Sequence, residues 1–173
     1  MDAMQAICER FSFRGEYERT PVPRNDLMRI MEAGLAAPSG CNKQTTSLIG
    51  IDDEMVGMIS SFLGRTPDKT APAAICVFTQ RIPGYDDVYF NIQDYSAAIE
   101  NMLLAITALG YASCWIEGEV TGNKEVREKI SAELRVPGDF ELVAFLPVGK
   151  AKQDKTRPSK KAFEQRAWFN RYK

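Results

Sequence analysis

The sequence contains no histidine. That absence excludes Ser-His-Asp and Cys-His catalysis within the chain and removes the commonest side-chain metal ligand. The four cysteines, Cys8, Cys41, Cys76 and Cys114, are spaced 33, 35 and 38 residues apart, so no C-x-x-C clip for zinc or an iron–sulfur cluster exists. They are expected to be reduced and mostly buried. Neither G-x-G-x-x-G nor G-x-x-x-x-G-K-[ST] occurs, which excludes the two common phosphate loops. No apolar run is long enough to span a bilayer. The opening "MDAMQAICER" has no basic stretch leading into an apolar core, so a cytoplasmic protein is expected. An enzyme made from these residues would take its hard chemistry from a bound cofactor.

What is present fits one domain, residues 1–173, with 45% hydrophobic and 26% charged residues. The net charge of −1 is unevenly spread. Residues 150–173 hold nine Lys or Arg and two Asp or Glu, a balance of +7, which leaves −8 on the body. A basic tail on an acidic body can bind nucleic acid or dock on protein. Docking of 151–173 on the body or on a partner subunit is favoured, because Phe163, Trp168, Phe169 and Tyr172 would seek an apolar surface.

Residues 2–10 read as a short helix with Met4, Ile7 and Cys8 on one side. A second helix, capped by Asn25 or Asp26, carries Leu27, Ile30, Met31, Gly34 and Leu35 at helical spacing and stops at Pro38. "TSLIGI" reads as a strand, "DEMVGMISSFLG" as a helix ended by Gly64, and "AAICVFT" as a central strand. Residues 80–93 are either a lid or a disordered connection. The longest helix, capped by Asp94 or Ser96 and stopped at Gly110, is apolar almost all round. A domain this small rarely encloses such a helix, so a homodimer is expected, against a central helix in a monomer. "ASCWIEG" reads as a strand, 123–134 as an amphipathic helix and "FELVAFLPVG" as a strand. The alternation of helices and apolar strands predicts an α+β or α/β sandwich.

Two stretches are rich in small residues, "PSGCNKQ" and "EGEVTGN". The first follows a helix C-terminus, the negative end of the dipole, which disfavours a phosphate there but admits an uncharged polar heterocycle. In "ERFSFR", Arg10, Ser12 and Arg14 alternate and would share one side of an extended segment. Two guanidinium groups and a hydroxyl make a phosphate or carboxylate grip. The competing reading is a solvated helix end.

"ERFSFR", "AGLAAPSGCNKQ", "DYSAAIENMLLAITALGYASCWIEG" and "LPVGK" stand in the order of the nitroreductase family, and the chain resembles that family over about residues 5–165. The resemblance implies an α+β sandwich with a mostly antiparallel central sheet flanked by helices. It also implies an intertwined homodimer with two FMN groups at the interface. By matching position, Arg10 and Ser12 correspond to flavin phosphate ligands and Arg14 to the basic group beside the pyrimidine edge of the ring. Pro38, Ser39, Gly40, Asn42 and Gln44 correspond to the segment lent by the second subunit. Glu117 and Gly118 correspond to the turn facing the ring near N5. Lys160 is the best match for a tail residue returning to the phosphate, with Arg157 and Lys161 competing.

Thr45 and Thr46 stand where the family often has Pro-Trp, a lysine is matched where arginine is usual, and residues 79–94 are short where larger members insert covering helices. The implied activity is oxidoreduction. A hydride passes from NADH or NADPH through flavin N5 to a small-molecule acceptor, a nitroaromatic, quinone or similar conjugated compound, by a ping-pong scheme. No catalytic side chain is required, and no metal. The alternative is a flavin-binding storage or redox-sensing module without turnover.

Overall fold

The computed structural model describes residues 1–64, 70–153 and 157–172. Six α-helices and three strands follow one another among these residues. Helix α1 spans Ala3–Glu9, α2 Arg24–Leu35, α3 Asp53–Ser61, α4 Asn91–Ala108, α5 Gly118–Thr121 and α6 Lys124–Glu133. The strands are β1 Thr46–Asp52, β2 Ala73–Gln80 and β3 Phe140–Val148. They form an antiparallel sheet in the order β1-β2-β3, so the α+β sandwich with an antiparallel centre is the observed class.

The side-chain period of two divides β2 between two cores. Ala73, Ile75 and Val77 join Leu27 and Ile30 of α2 and Tyr95, Ile99, Met102, Leu103 and Ile106 of α4. Ala74, Cys76 and Phe78 join Val56 and Ile59 of α3, Val120 of α5 and Ile130 of α6. Both faces of β2 are therefore covered, which is why it reads as an unbroken apolar run. In β3 the register shifts beside Val77 and Phe78, which pair with Ala144 and Leu142, and Val143 is the extra residue of a bulge.

Several expectations are corrected. Helix α2 begins at Arg24 with Pro23 in the cap position, and Asp26 lies inside it. Proline at that boundary presets φ for the turn, and no Asn25 or Asp26 cap forms. Helix α4 begins at Asn91, so Asp94 is a buried residue of its first turns and Ser96 lies further in; neither is a cap. Its stop is as expected: Gly110 has φ +80, and Tyr111 N donates to Ile106 O at 2.9 Å, closing a Schellman turn. Helix α3 ends at Ser61, before Gly64. On α1 it is Ala6 that faces the body, and Met4 and Ile7 stay exposed. Two cysteines are buried, Cys76 and Cys114, and two exposed, Cys8 and Cys41; all four are free thiols.

"ASCWIEG" is not a continuous strand. It makes two antiparallel bridges, Ile116–Phe145 on β3 and Ala112–Gly149 just beyond its end. Both obey one register, which sets Cys114 opposite Pro147. Proline has no N–H to return to the ladder, so the pairing breaks at its middle. Residues 80–93 are ordered: a bridge between Pro83 and Tyr89 and the bond from Gly84 N to Val88 O, 2.8 Å, close a hairpin.

Candidate functional site

The segment after α1 alternates as expected. Phe13 and Tyr17 point inward and pack edge to face at 5.0 Å, while Ser12 is half-buried and Arg14 exposed on the opposite side. Arg10 turns toward α4, where its Nε lies 3.0 Å from Glu100 Oε1. It lines a cavity of about 230 Å³ with Phe11, Ser113 and Arg157 among others. Arg157 is held there by two contacts. Its Nη1 donates to Cys8 O at 3.3 Å, and its guanidinium stands 5.8 Å from the Phe11 ring centroid. Ser113 is buried, and its Oγ has no partner among the described residues. Two guanidinium groups and an unsatisfied hydroxyl suit an oxyanion, which would compete with Glu100 for Arg10 and share the cavity lining with Glu9. Lys160 and Lys161 are exposed and do not line this cavity, so Arg157 is the tail cation brought to Arg10.

The loop after α2 is built differently. Pro38, Ser39 and Gln44 line a second cavity, about 180 Å³, together with Asp94 and Ala98 of α4. Cys41, Asn42 and Gln44 take φ of 52, 53 and 51, the left-handed region that side chains enter only under constraint. Gln44 N donates to Ser39 Oγ at 3.0 Å, Asn42 N to Ser39 O at 3.0 Å and Lys43 N to Gly40 O at 3.1 Å. Gly40 is required for space: a Cβ there would stand 2.5 Å from the Phe90 ring. Asp94 is the residue the sequence reading missed in this role. Its Oδ1 accepts from Gly40 N at 2.7 Å and its Oδ2 from Thr45 Oγ1 at 2.8 Å. Gln80 N donates to Thr45 O at 3.0 Å, tying the same end of the loop to β2.

Glu117 and Gly118 form the start of α5, where Glu117 O accepts from Val120 N at 2.9 Å. Tyr95 of α4 donates its hydroxyl to Glu117 Oε1 at 3.4 Å. Burial pushes the Tyr95 phenol up, and the Glu117 carboxylate adds to that shift.

Within one chain these parts do not converge. Arg10 meets α4 at Glu100 and loop 38–44 meets it at Asp94. Six residues of helix separate these anchors by about 9 Å along the axis and about 120° around it. A larger cavity of about 420 Å³ lies between α2 and β1, but it contains none of the expected site residues, and the Arg24–Asp52 pair stands at its edge. No group of His, Cys, Asp and Glu able to hold a metal ion occurs among the described residues.

A three-stranded antiparallel sheet covered on both faces, with two small cavities along the same long helix, defines the class as an α+β sandwich. The fold is that of a "BluB-like flavoprotein" from Clostridium difficile, which superposes with a TM-score of 0.83 at 23% identity over 99% of this chain and 100% of that one. An "FMN-dependent Nitroreductase" from Clostridium difficile superposes at 0.80 with 26% identity, covering 98% and 99% of the two chains. An Archaeoglobus fulgidus protein provisionally named an NADH dehydrogenase/NAD(P)H nitroreductase is 28% identical over 158 residues, 89% of this chain and 88% of its own. The chain belongs to the nitroreductase family, whose model matches residues 7–61 and 59–150. That membership makes it an oxidoreductase of the nitroreductase type.

Proposed function

We propose that the protein is a homodimeric FMN-dependent oxidoreductase. In this reading each flavin lies between the Arg10 side of one chain and loop 38–44 of the other. The observation that carries it is the division of the site. Neither cavity, about 230 and 180 Å³, reaches the roughly 300–1,000 Å³ of a cofactor pocket. The phosphate-like chemistry sits in one and the small-residue loop in the other. Surface left open on α4 supports a second copy: Ala97 and Leu104 are only half-buried and Ala108 is exposed. So does the exposed apolar side of α1 at Met4 and Ile7. The tail's exposed Phe163, Phe169 and Tyr172 rings find no cover on their own body, and docking on the partner would supply it.

A bound flavin supplies the hydride chemistry between NADH or NADPH and a conjugated acceptor. This chain's residues then do the holding. Arg10 and Arg157 would take the phosphate, with Arg157 replacing Lys160 in that role, and Ser12, half-buried outside the cavity lining, would join them from the next part of the segment. Arg14 is exposed on the outward side with Ser12 and would offer positive charge to the pyrimidine edge of a bound flavin. Pro38, Ser39, Gly40, Asn42 and Gln44 would hold the ring, and Glu117 and Gly118 would bound it from the turn that Tyr95 steadies. The hairpin at 83–89 leaves Tyr85 and Tyr89 exposed and inserts no covering helix, which favours an open acceptor side and a broad range of planar acceptors.

The test is titration of the purified protein with FMN, followed by steady oxidation of NADH and NADPH with a quinone. A yellow, stoichiometric complex that turns over is expected. A protein that stays colourless overturns the reading, and one that binds flavin but never oxidises either donor makes it a storage or sensing module. Arg10→Ala and Arg157→Ala should each weaken FMN binding by roughly 1.5–3 kcal/mol, the range for a charged hydrogen bond.

A further inference from the structure

We propose that Asp94 is the positioning residue of the flavin site, fixing loop 38–44 in the shape that the second chain's flavin requires. The proposal rests on the function proposed above but is carried by separate observations. Asp94 is buried, and each carboxylate oxygen takes its own donor, Gly40 N at 2.7 Å and Thr45 Oγ1 at 2.8 Å. The two donors sit at opposite ends of the loop's tight part. Between them lie Cys41, Asn42 and Gln44, all left-handed. Three non-glycine residues in that region cost on the order of 1–2 kcal/mol each, so the loop needs an external anchor to hold this shape.

A carboxylate offers two acceptor oxygens, and Asp94 uses both. It is the fourth residue of α4. One turn earlier on the same face, Phe90 fills the space under Gly40, where a Cβ would stand 2.5 Å from its ring. Gly84 of the hairpin approaches Phe90 from elsewhere, with a Cβ position 2.9 Å from the ring. The start of α4 thus holds the loop by two hydrogen bonds through Asp94 and by shape through Phe90. Asp94 itself need not touch the cofactor.

The test compares wild type, Asp94→Asn and Asp94→Ala in two ways. Amide hydrogen exchange on flavin-free protein reads the loop alone, with β2 amides as the internal reference. FMN affinity and the visible spectrum of the bound flavin read its consequence. In Asp94→Ala the Gly40 amide should exchange roughly tenfold faster or more while β2 is unchanged, and FMN affinity should fall by a similar factor. Asp94→Asn should stay within about threefold of wild type on both readouts, since its oxygen can accept from Gly40 N and its amide can donate to Thr45 Oγ. Unchanged exchange or unchanged affinity in Asp94→Ala overturns the proposal, and so does an Asn variant as damaged as the Ala variant. If Asp94→Ala does not fold, Thr45→Val removes one of the two bonds and should give an intermediate effect; wild-type behaviour there is equally fatal. Should wild type bind no FMN, the proposed function fails while the exchange experiment still decides what holds the loop.

Discussion

Cys76 lies at the centre of β2 with both faces of the sheet covered, and burial pushes its thiol from 9.0 up to about 12. The folded chain therefore holds that proton more tightly than the unfolded chain does. Its contribution to stability is complete below about pH 9 and is lost as pH rises toward about 12. Burial raises Tyr95 and Tyr111 as well, so they pull in the same alkaline direction. Denaturant melts in steps from pH 8 to 12 should show stability falling, and Cys76→Ala should flatten the fall without removing it. The same burial governs reactivity, because the thiolate is the nucleophile. A native protein treated with iodoacetamide at pH 8 should be modified at Cys8 and Cys41 and spared at Cys76 and Cys114, as read by peptide mass. Modification of Cys76 at the rate of Cys41 would contradict the packing. Local pattern separates Cys76, in an apolar strand run, from Cys41, in a small-residue loop, but the exposure of Cys8 follows from which side of α1 packs on the body. Asp94 shows the same limit more sharply. Its position suited a helix cap, and its real partners lie 54 and 49 residues earlier in the chain.

Elements were legible where a local period or a stop signal fixed them. The apolar run of β2 and the amphipathic pattern of α6 survive into the structure because each element is covered as its pattern requires. Gly110 was legible as a stop for a stronger reason. Its φ of +80 is open to glycine and costs other residues roughly 1–2 kcal/mol. Gly110→Ala meets no atom within 4 Å, so backbone strain is the only expected cost. Thermal unfolding should report a loss of about 1–2 kcal/mol with the helical signal intact, and an unchanged midpoint would mean that the Schellman turn is not held. The segment at 112–118 was misread because strand propensity is local whereas the ladder depends on the partner. Pro147, some thirty residues later, decides that the pairing is bridged only at its ends. The start of α4 was misplaced for a related reason. Phe90 and Asn91 extend the helix backward because Phe90 is packed between Gly40 and Gly84, a contact invisible in the local pattern.

At the scale of the whole molecule, the family resemblance implied a site divided between two chains, a division that no local pattern in the sequence shows. Arg10 and loop 38–44 belong to different anchors on α4, so a complete flavin site requires two chains in the proposed function. This makes a quantitative prediction for hybrids. Arg10→Ala damages the phosphate side, and Gly40→Ala displaces the loop by driving a methyl into the Phe90 ring. Each variant alone carries one lesion at both sites of its homodimer and should bind FMN poorly. In a hybrid of the two, one site combines Arg10→Ala with Gly40→Ala, and the other has the native Arg10 side facing a native loop. Random reassembly of equal amounts puts half the dimers in hybrid form, so about a quarter of all sites should recover wild-type affinity. Two differently tagged chains, co-refolded and titrated with FMN, supply the measurement. Were each site built within a single chain, every hybrid site would keep one lesion and mixing would restore nothing. Recovery near one quarter can arise only from a site shared across the two-fold axis, and its absence in a verified hybrid would return the flavin to a single chain.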